Sequence, residues 1–260
     1  CYLSLYFRSH GDQNNNDFNP FNSLNIDRTR LRNRIASTNY VNISPVKGLD
    51  IRSTYSLDYA EQTWFEFTPK NIQEAIRHYN GDARAKHERW NDTYWQWDNT
   101  ITYNTTINND HRITALAGTS SSKRSADYTK AQGDRFASDD LSYHDLGGAA
   151  AVEKSVLGSD FYNYSLLSYF ARVNYSYKDR YFFTATARYD GSSRFSDDNR
   201  WGVFPSLSAA WNITNENFMK EQGIFSQLKL RAGYGVVGNQ DISNYAFQTL
   251  YGSRIDNGNA

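Results

Sequence analysis

The sequence predicts an all-β fold, an antiparallel up-and-down transmembrane β-barrel that is present only in part, with about nine strands. Three features point there: segments of period two with one apolar and one charge-bearing face, aromatic residues at matched ends of those segments, and connections that alternate between short and long. The composition agrees. Tyrosine numbers 20, tryptophan 6 and aromatics 16% of the chain, yet the mean hydropathy is −0.76. A helical membrane protein needs about 20 successive apolar residues per span, and the longest small apolar patch here is Gly147 to Val152. Barrel strands need apolar residues only at alternate positions, and their outer loops are polar.

The stretch from Ser165 to Tyr189 shows the two faces most clearly. Leu167, Tyr169, Ala171, Val173, Tyr175 and Tyr177 oppose Ser168, Arg172, Asn174 and Ser176; after a turn at Lys178, Asp179 and Arg180, Tyr181, Phe183, Ala185, Ala187 and Tyr189 oppose Phe182, Thr184, Thr186, Arg188 and Asp190. Tyr181 and Tyr189 are eight residues apart, roughly 26 Å at ~3.3 Å per residue. A tilt of about 40° turns this into roughly 20 Å of height, close to the ~25 Å apolar band that aromatic girdles flank. Tyr169 and Tyr177 repeat the spacing, so these four tyrosines, with Trp211, are expected at the membrane edges. Arg172 and Arg188 fall on the opposite parity, which avoids the about 2–4 kcal/mol that a cation costs on the lipid face at mid-bilayer.

In chain order, Cys1 to Arg8 alternates enough for a partial strand, and a loop rich in Asn and Asp follows with Asn19-Pro20-Phe21. Strands are expected from about Arg30 to Ile43, ragged at its start, and from Leu49 to Tyr59, joined tightly through Pro45. A short helix fits Asn71 to Tyr79 after Thr68-Pro69. Thr93 to Ile107 and Arg112 to Ser120 form a hairpin through Asn108-Asn109-Asp110, with Trp95, Trp97, Ile101 and Tyr103 on one face. Beyond the central hairpin come a strand from Val203 to Ile213, where Pro205 suggests an edge or bulge, a helical turn over Thr214 to Gln222, and a strand alternating Leu228, Leu230, Ala232, Tyr234 and Val236 with Lys229 and Arg231. A strict meander sends every second connection to the same surface. The turns at Pro45, Asn109 and Asp179 and the Thr214 segment are therefore expected in the periplasm, and long loops over about 9–29, 63–91, 121–164, 190–201 and 238–260 outside.

Lys plus Arg and Asp plus Glu both number 28, and no basic run tracks a phosphate backbone, so nucleic acid is not a partner. A lone cysteine, Cys1, makes no internal disulfide, and His10, His78, His87, His111 and His144 lack metal-ligand spacing. Asp139-Asp140 point apart on an extended chain, and Ser142, His144 and Asp145 have no triad geometry, so neither an enzyme nor a cofactor is implied. Asp197, Asp198 and Asn199 lack the bidentate Glu of a calcium loop and read as a solvated turn. The competing account of the whole is a secreted carbohydrate-binding β-sandwich whose apolar faces pack against a second sheet.

Several motifs, in order, carry a family resemblance. Leu167-Ser168-Tyr169-Phe170-Ala171-Arg172-Val173-Asn174-Tyr175, Asp179-Arg180-Tyr181, Asp190-Gly191-Ser192-Ser193-Arg194-Phe195, Arg200-Trp201-Gly202-Val203-Phe204-Pro205-Ser206 and the run Leu228 to Gln240 resemble signatures of the SusC/RagA class of TonB-dependent outer-membrane transporters. Asn19-Pro20-Phe21 resembles a more N-terminal part of that barrel. The resemblance implies a plugged barrel of about 22 strands in the outer membrane of a Gram-negative bacterium, in contact with its lipid. It implies active import of large nutrients, typically oligosaccharides and sometimes peptides, energised by the TonB system and capped by a SusD-like surface lipoprotein. The plug, the TonB-contacting segment and the closing C-terminal strand are not in this sequence, so an internal barrel fragment is expected. Within it Arg172, Arg188, Asp190, Lys229 and Arg231 are candidates to face the lumen, with Asp58 and Asp98, and either contact substrate or plug or pair across strands. Trp64, Phe65, Trp90 and Phe195 are candidates to stack on sugar rings, or serve as anchors and loop packing.

Overall fold

The computed structural model describes residues 24–70, 72–151, 157–219 and 225–242. The period-two pattern becomes long strands: β1 (Asp27–Val46), β2 (Leu49–Thr68), β3 (Arg84–Ile107), β4 (His111–Phe136), the three-residue β5 (Ala149–Ala151), β6 (Gly158–Tyr177), β7 (Tyr181–Ser192), β8 (Trp201–Asn212) and β9 (Lys229–Gly235). They form one open sheet in the order β1-β2-β3-β4-β6-β7-β8-β9, with β5 added beside β4. Chain order is sheet order, which is an up-and-down meander. Among the described residues there is a single sheet and no second one for the apolar faces to pack against, so the sandwich account falls.

Asn108 and Asn109 close the β3–β4 turn, and Lys178 and Asp179 the β6–β7 turn, with φ between 50° and 59°. Positive φ at both central residues is the type I′ geometry that matches strand twist. α1 (Gln73–His78) lies where a short helix is expected. Pro205 does not mark a bulge: β8 pairs with β7 in unbroken register from Gly191↔Trp201 through Ala187↔Pro205 to Tyr181↔Trp211. At Thr214 the helical turn reduces to a single 3-10 turn, Ile213–Asn215.

The connections are shorter than the alternation suggests. β2 runs on to Thr68 and β3 starts at Arg84, which narrows the expected 63–91 excursion to 69–83; β4 and β6 take both ends of 121–164, and β5 lies inside it; 190–201 becomes 193–200. Beyond an apolar band nothing forces one face to be apolar, so these stretches are polar on both faces while the backbone ladder continues. The expected strand Cys1 to Arg8, Asn19-Pro20-Phe21 and most of 238–260 lie outside the described residues, so β5 takes the ninth place in the strand count.

The chain divides into two compact units. The first draws its described residues from Cys1–Arg32, Gln62–Trp90 and Tyr128–Asp160. It has a small core of Phe67, Ala83, Ala85 and Phe136, against which Tyr143, Leu146 and Ala149 pack. The second draws on Asn33–Glu61, Asn91–Asp127 and Phe161–Ala260 and contains the hairpin β6–β7 with β8 and β9.

Candidate functional site

In the second unit, register converts sequence parity into two continuous faces. One face carries the rows Tyr177, Tyr181, Trp211, Leu230, then Tyr175, Phe183, Ala209, Ala232, then Val173, Ala185, Leu207, Tyr234. Most of these side chains are exposed, Phe183 by 52%, Leu207 by 64% and Leu230 by 62%. Along β7 the apolar residues are the more exposed set and the polar residues the less exposed. In a water-soluble protein the order is reversed.

The aromatics expected at the membrane edges fall into two stacked groups. Tyr177, Tyr181 and Trp211 follow one another at ring separations of 6.4 Å. At the other end Tyr169 and Tyr189 both stack on Trp201, at 6.3 and 4.6 Å. Trp201, from the Arg200–Ser206 motif, joins these rings because it stands opposite Gly191 in the β7–β8 register. A Cβ on Gly191 would come within 2.7 Å of the indole, so glycine is what lets the ring lie flat.

Glu216 escaped sequence reading altogether. It is buried, and one carboxylate oxygen accepts from Tyr181 Oη at 2.7 Å and Trp211 Nε1 at 3.0 Å while the other accepts from Arg180 at 3.1 Å. The Tyr181 hydrogen bond foremost, then that from Trp211 and the Arg180 charge, hold its carboxyl below the ordinary glutamate range. Adjacent turns are joined as well: Arg112 forks onto Asp179 at 2.8 and 2.9 Å, and Lys178 reaches Asp110 at 3.5 Å.

On the opposite face, Arg188 donates to Asp190 at 2.8 Å and to Ser168 Oγ at 2.8 Å, and Arg172 to Thr186 Oγ1 at 3.2 Å. Lys229 lies 3.8 Å over the Phe182 ring, and Arg231 stands opposite Ala210. Asp58 is held by Arg34, and Asp98 by Gln96. The candidates are thus mostly paired within the sheet. Around them run hydroxyl and amide rows, Arg172, Thr186, Ser206 and Asn174, Thr184, Ser208.

Arg188 and Asp190 also line a cleft of ≈ 590 Å³ with Phe195, Phe204, Asn239 and Gln240. Two motifs distant in sequence meet there: Arg194 of one donates to the Gln240 carbonyl of the other at 3.0 Å. A Cβ on Gly238 would overlap the Phe204 ring, so this wall too needs glycine. Of the candidate sugar platforms, Phe195 is in the cleft, whereas Phe65 stacks on Tyr143 at 5.0 Å and Trp90 lies 4.3 Å from Tyr128. Asp139 accepts from the Lys70 N–H and Asp140 from Ser138, which are loop bonds with no catalytic geometry. Among the described residues no group of His, Cys, Asp or Glu could hold a metal ion.

The model of the family described as TonB dependent receptor-like, beta-barrel matches residues 2–260. TonB-dependent receptor P26 of Formosa agariphila is 38% identical over 229 residues, 88% of this chain and 23% of its own length. TonB-dependent receptor SusC of Bacteroides thetaiotaomicron is 56% identical over 88 residues, 34% of this chain and 9% of its own. Among solved structures, the RagAB peptide transporter superposes with a TM-score of 0.82 at 25% identity, covering 89% of this chain and 25% of that one. The chain therefore spans about a quarter of the length of the relatives it matches.

Proposed function

Because this chain belongs to the TonB-dependent receptor family and supplies part of its outer-membrane β-barrel, we propose that it forms the wall of a TonB-energised importer of large nutrients, oligosaccharides foremost, working with a SusD-like surface lipoprotein. It is a transport component and not an enzyme. The observation that carries the reading is the inverted pair of faces in β6–β9, apolar and exposed on one side, hydroxyl, amide and arginine on the other. Lipid solvates the first. The second is a wall of donors and acceptors suited to a polyhydroxylated chain, with Arg172, Arg188, Asp190, Lys229 and Arg231 toward the lumen and Tyr169, Tyr177, Tyr181, Tyr189 and Trp211 at the membrane edges. The motif resemblance to the SusC/RagA class, typically importers of oligosaccharides, favours a saccharide cargo; the likeness to the RagAB peptide transporter supports peptides as the second reading.

The test is uptake of fluorescently labelled oligosaccharide and oligopeptide libraries by cells with the full-length gene intact, deleted, or intact with TonB inactivated. Saccharide uptake lost in both altered strains is the expected result. Uptake that survives gene deletion overturns import, and loss confined to peptides transfers the cargo to the RagAB-like reading.

A further inference from the structure

β1 opens with Asp27-Arg28-Thr29-Arg30-Leu31-Arg32, and strand alternation sets its three arginines on one face. All three are exposed. Arg28 donates to Glu66 at 2.9 Å, and the Arg30 guanidinium lies 4.8 Å over the Trp64 ring. From the far side of β2, Lys86 of β3 lies 5.2 Å from the same indole and pairs with Glu88 at 2.6 Å.

The two carboxylates of this patch are thus engaged by Arg28 and Lys86. Arg30 and Arg32 form no ion pair among the described residues, and they stand roughly 6.6 Å apart at ~3.3 Å per residue. Trp64, with a cation on either side, is no longer a platform for a sugar ring; it fixes Arg30 in place through cation–π contact. Two exposed like charges this close to one another complement an oxyanion that bridges them.

We infer that Arg30 and Arg32 form an anion subsite for the carboxylate or sulfate groups of an acidic oligosaccharide, an inference that rests on the saccharide import proposed above. Cargo lying along β1 is then selected by charge as well as by hydroxyl pattern. Binding weakens as salt screens the two guanidiniums.

The experiment titrates the purified full-length transporter, at low salt, with two matched pairs: oligogalacturonate against its methyl ester, and a sulfated galactan oligomer against its desulfated form. The expected result is at least tenfold tighter binding of one acidic member, about 1.4 kcal/mol, a preference that disappears in the Arg30→Gln/Arg32→Gln variant while the neutral member binds unchanged. Equal binding of both members by the wild-type protein overturns the subsite alone, as does a preference that persists in the double variant. Binding of neither member of either pair removes the saccharide reading and the subsite with it. A glutamate oligomer that outcompetes both acidic saccharides assigns the arginines to peptide cargo and overturns the saccharide assignment. Should the double variant fail to insert, Arg30→Lys and Arg32→Lys keep the charge and are expected to keep the acidic preference; its loss there overturns the electrostatic account.

Discussion

The two compact units place their apolar side chains in opposite ways. The first buries Phe67 and Phe136, at 3% and 9% exposure, against small alanines and the Tyr143 ring, as a water-soluble domain does. The second leaves Phe183, Val203 and Leu207 more than half exposed while Thr184, Thr186 and Arg188 of β7 are half-buried. One chain thus contains two answers to the same question of where apolar surface goes, and the proposed lipid contact of β6–β9 accounts for the second.

Substitutions can break this contrast. The largest effect is expected for Phe67→Ala, about 3–5 kcal/mol for a truncated buried aromatic, confined to the first unit and read as faster hydrogen exchange over 69–83 and 137–148 in the full-length protein. Next comes Ala185→Arg, on the exposed apolar face beside Leu207. It should lower stability in bilayers, read by urea titration, by about 2–4 kcal/mol. The neighbouring Thr184→Arg, on the other face, should be near neutral by the same urea titration; equal penalties for the two would erase the distinction between the faces. The smallest effect belongs to Glu216→Gln. A carboxyl held below its ordinary range contributes in full above the unfolded value of about 4.3, and that contribution is lost as pH falls through the lowered folded value. The variant should therefore show a weaker loss of stability between about pH 4.3 and more acid conditions, followed by near-ultraviolet circular dichroism; an unchanged acid limb would detach Glu216 from the rim.

The second unit was the more legible in sequence. Tyr181, Phe183 and Ala185 alternate with Phe182, Thr184 and Thr186 because lipid and lumen demand opposite chemistry at successive residues, and this fixes face, turn and register together. The ends of β2 and β4 gave no such signal: Ser120, Ser121, Ser122 and Lys123 are polar on both faces, and pairs such as Arg124 with Asp92 join residues 32 apart. The same loss of contrast made the start of β1 look ragged, although its arginines alternate strictly. Glu216 was hidden for another reason: Arg180 and Tyr181 lie 36 and 35 residues before it and reach it only once β7 and β8 pair. The cleft was half visible, since both of its motifs were noticed but not their meeting through Arg194 and Gln240.

The Glu216 node has a consequence for the surrounding bilayer. Interfacial tyrosine and tryptophan usually turn their polar tips toward headgroups and swivel as the membrane thickens or thins. If Tyr181 and Trp211 mark the membrane edge as proposed, their tips are already tied to a carboxylate of the protein itself. This rim then has a fixed height. Hydrophobic mismatch at that point is absorbed by deformation of the lipid rather than by reorientation of the rings, and the protein, not the membrane, sets the local thickness.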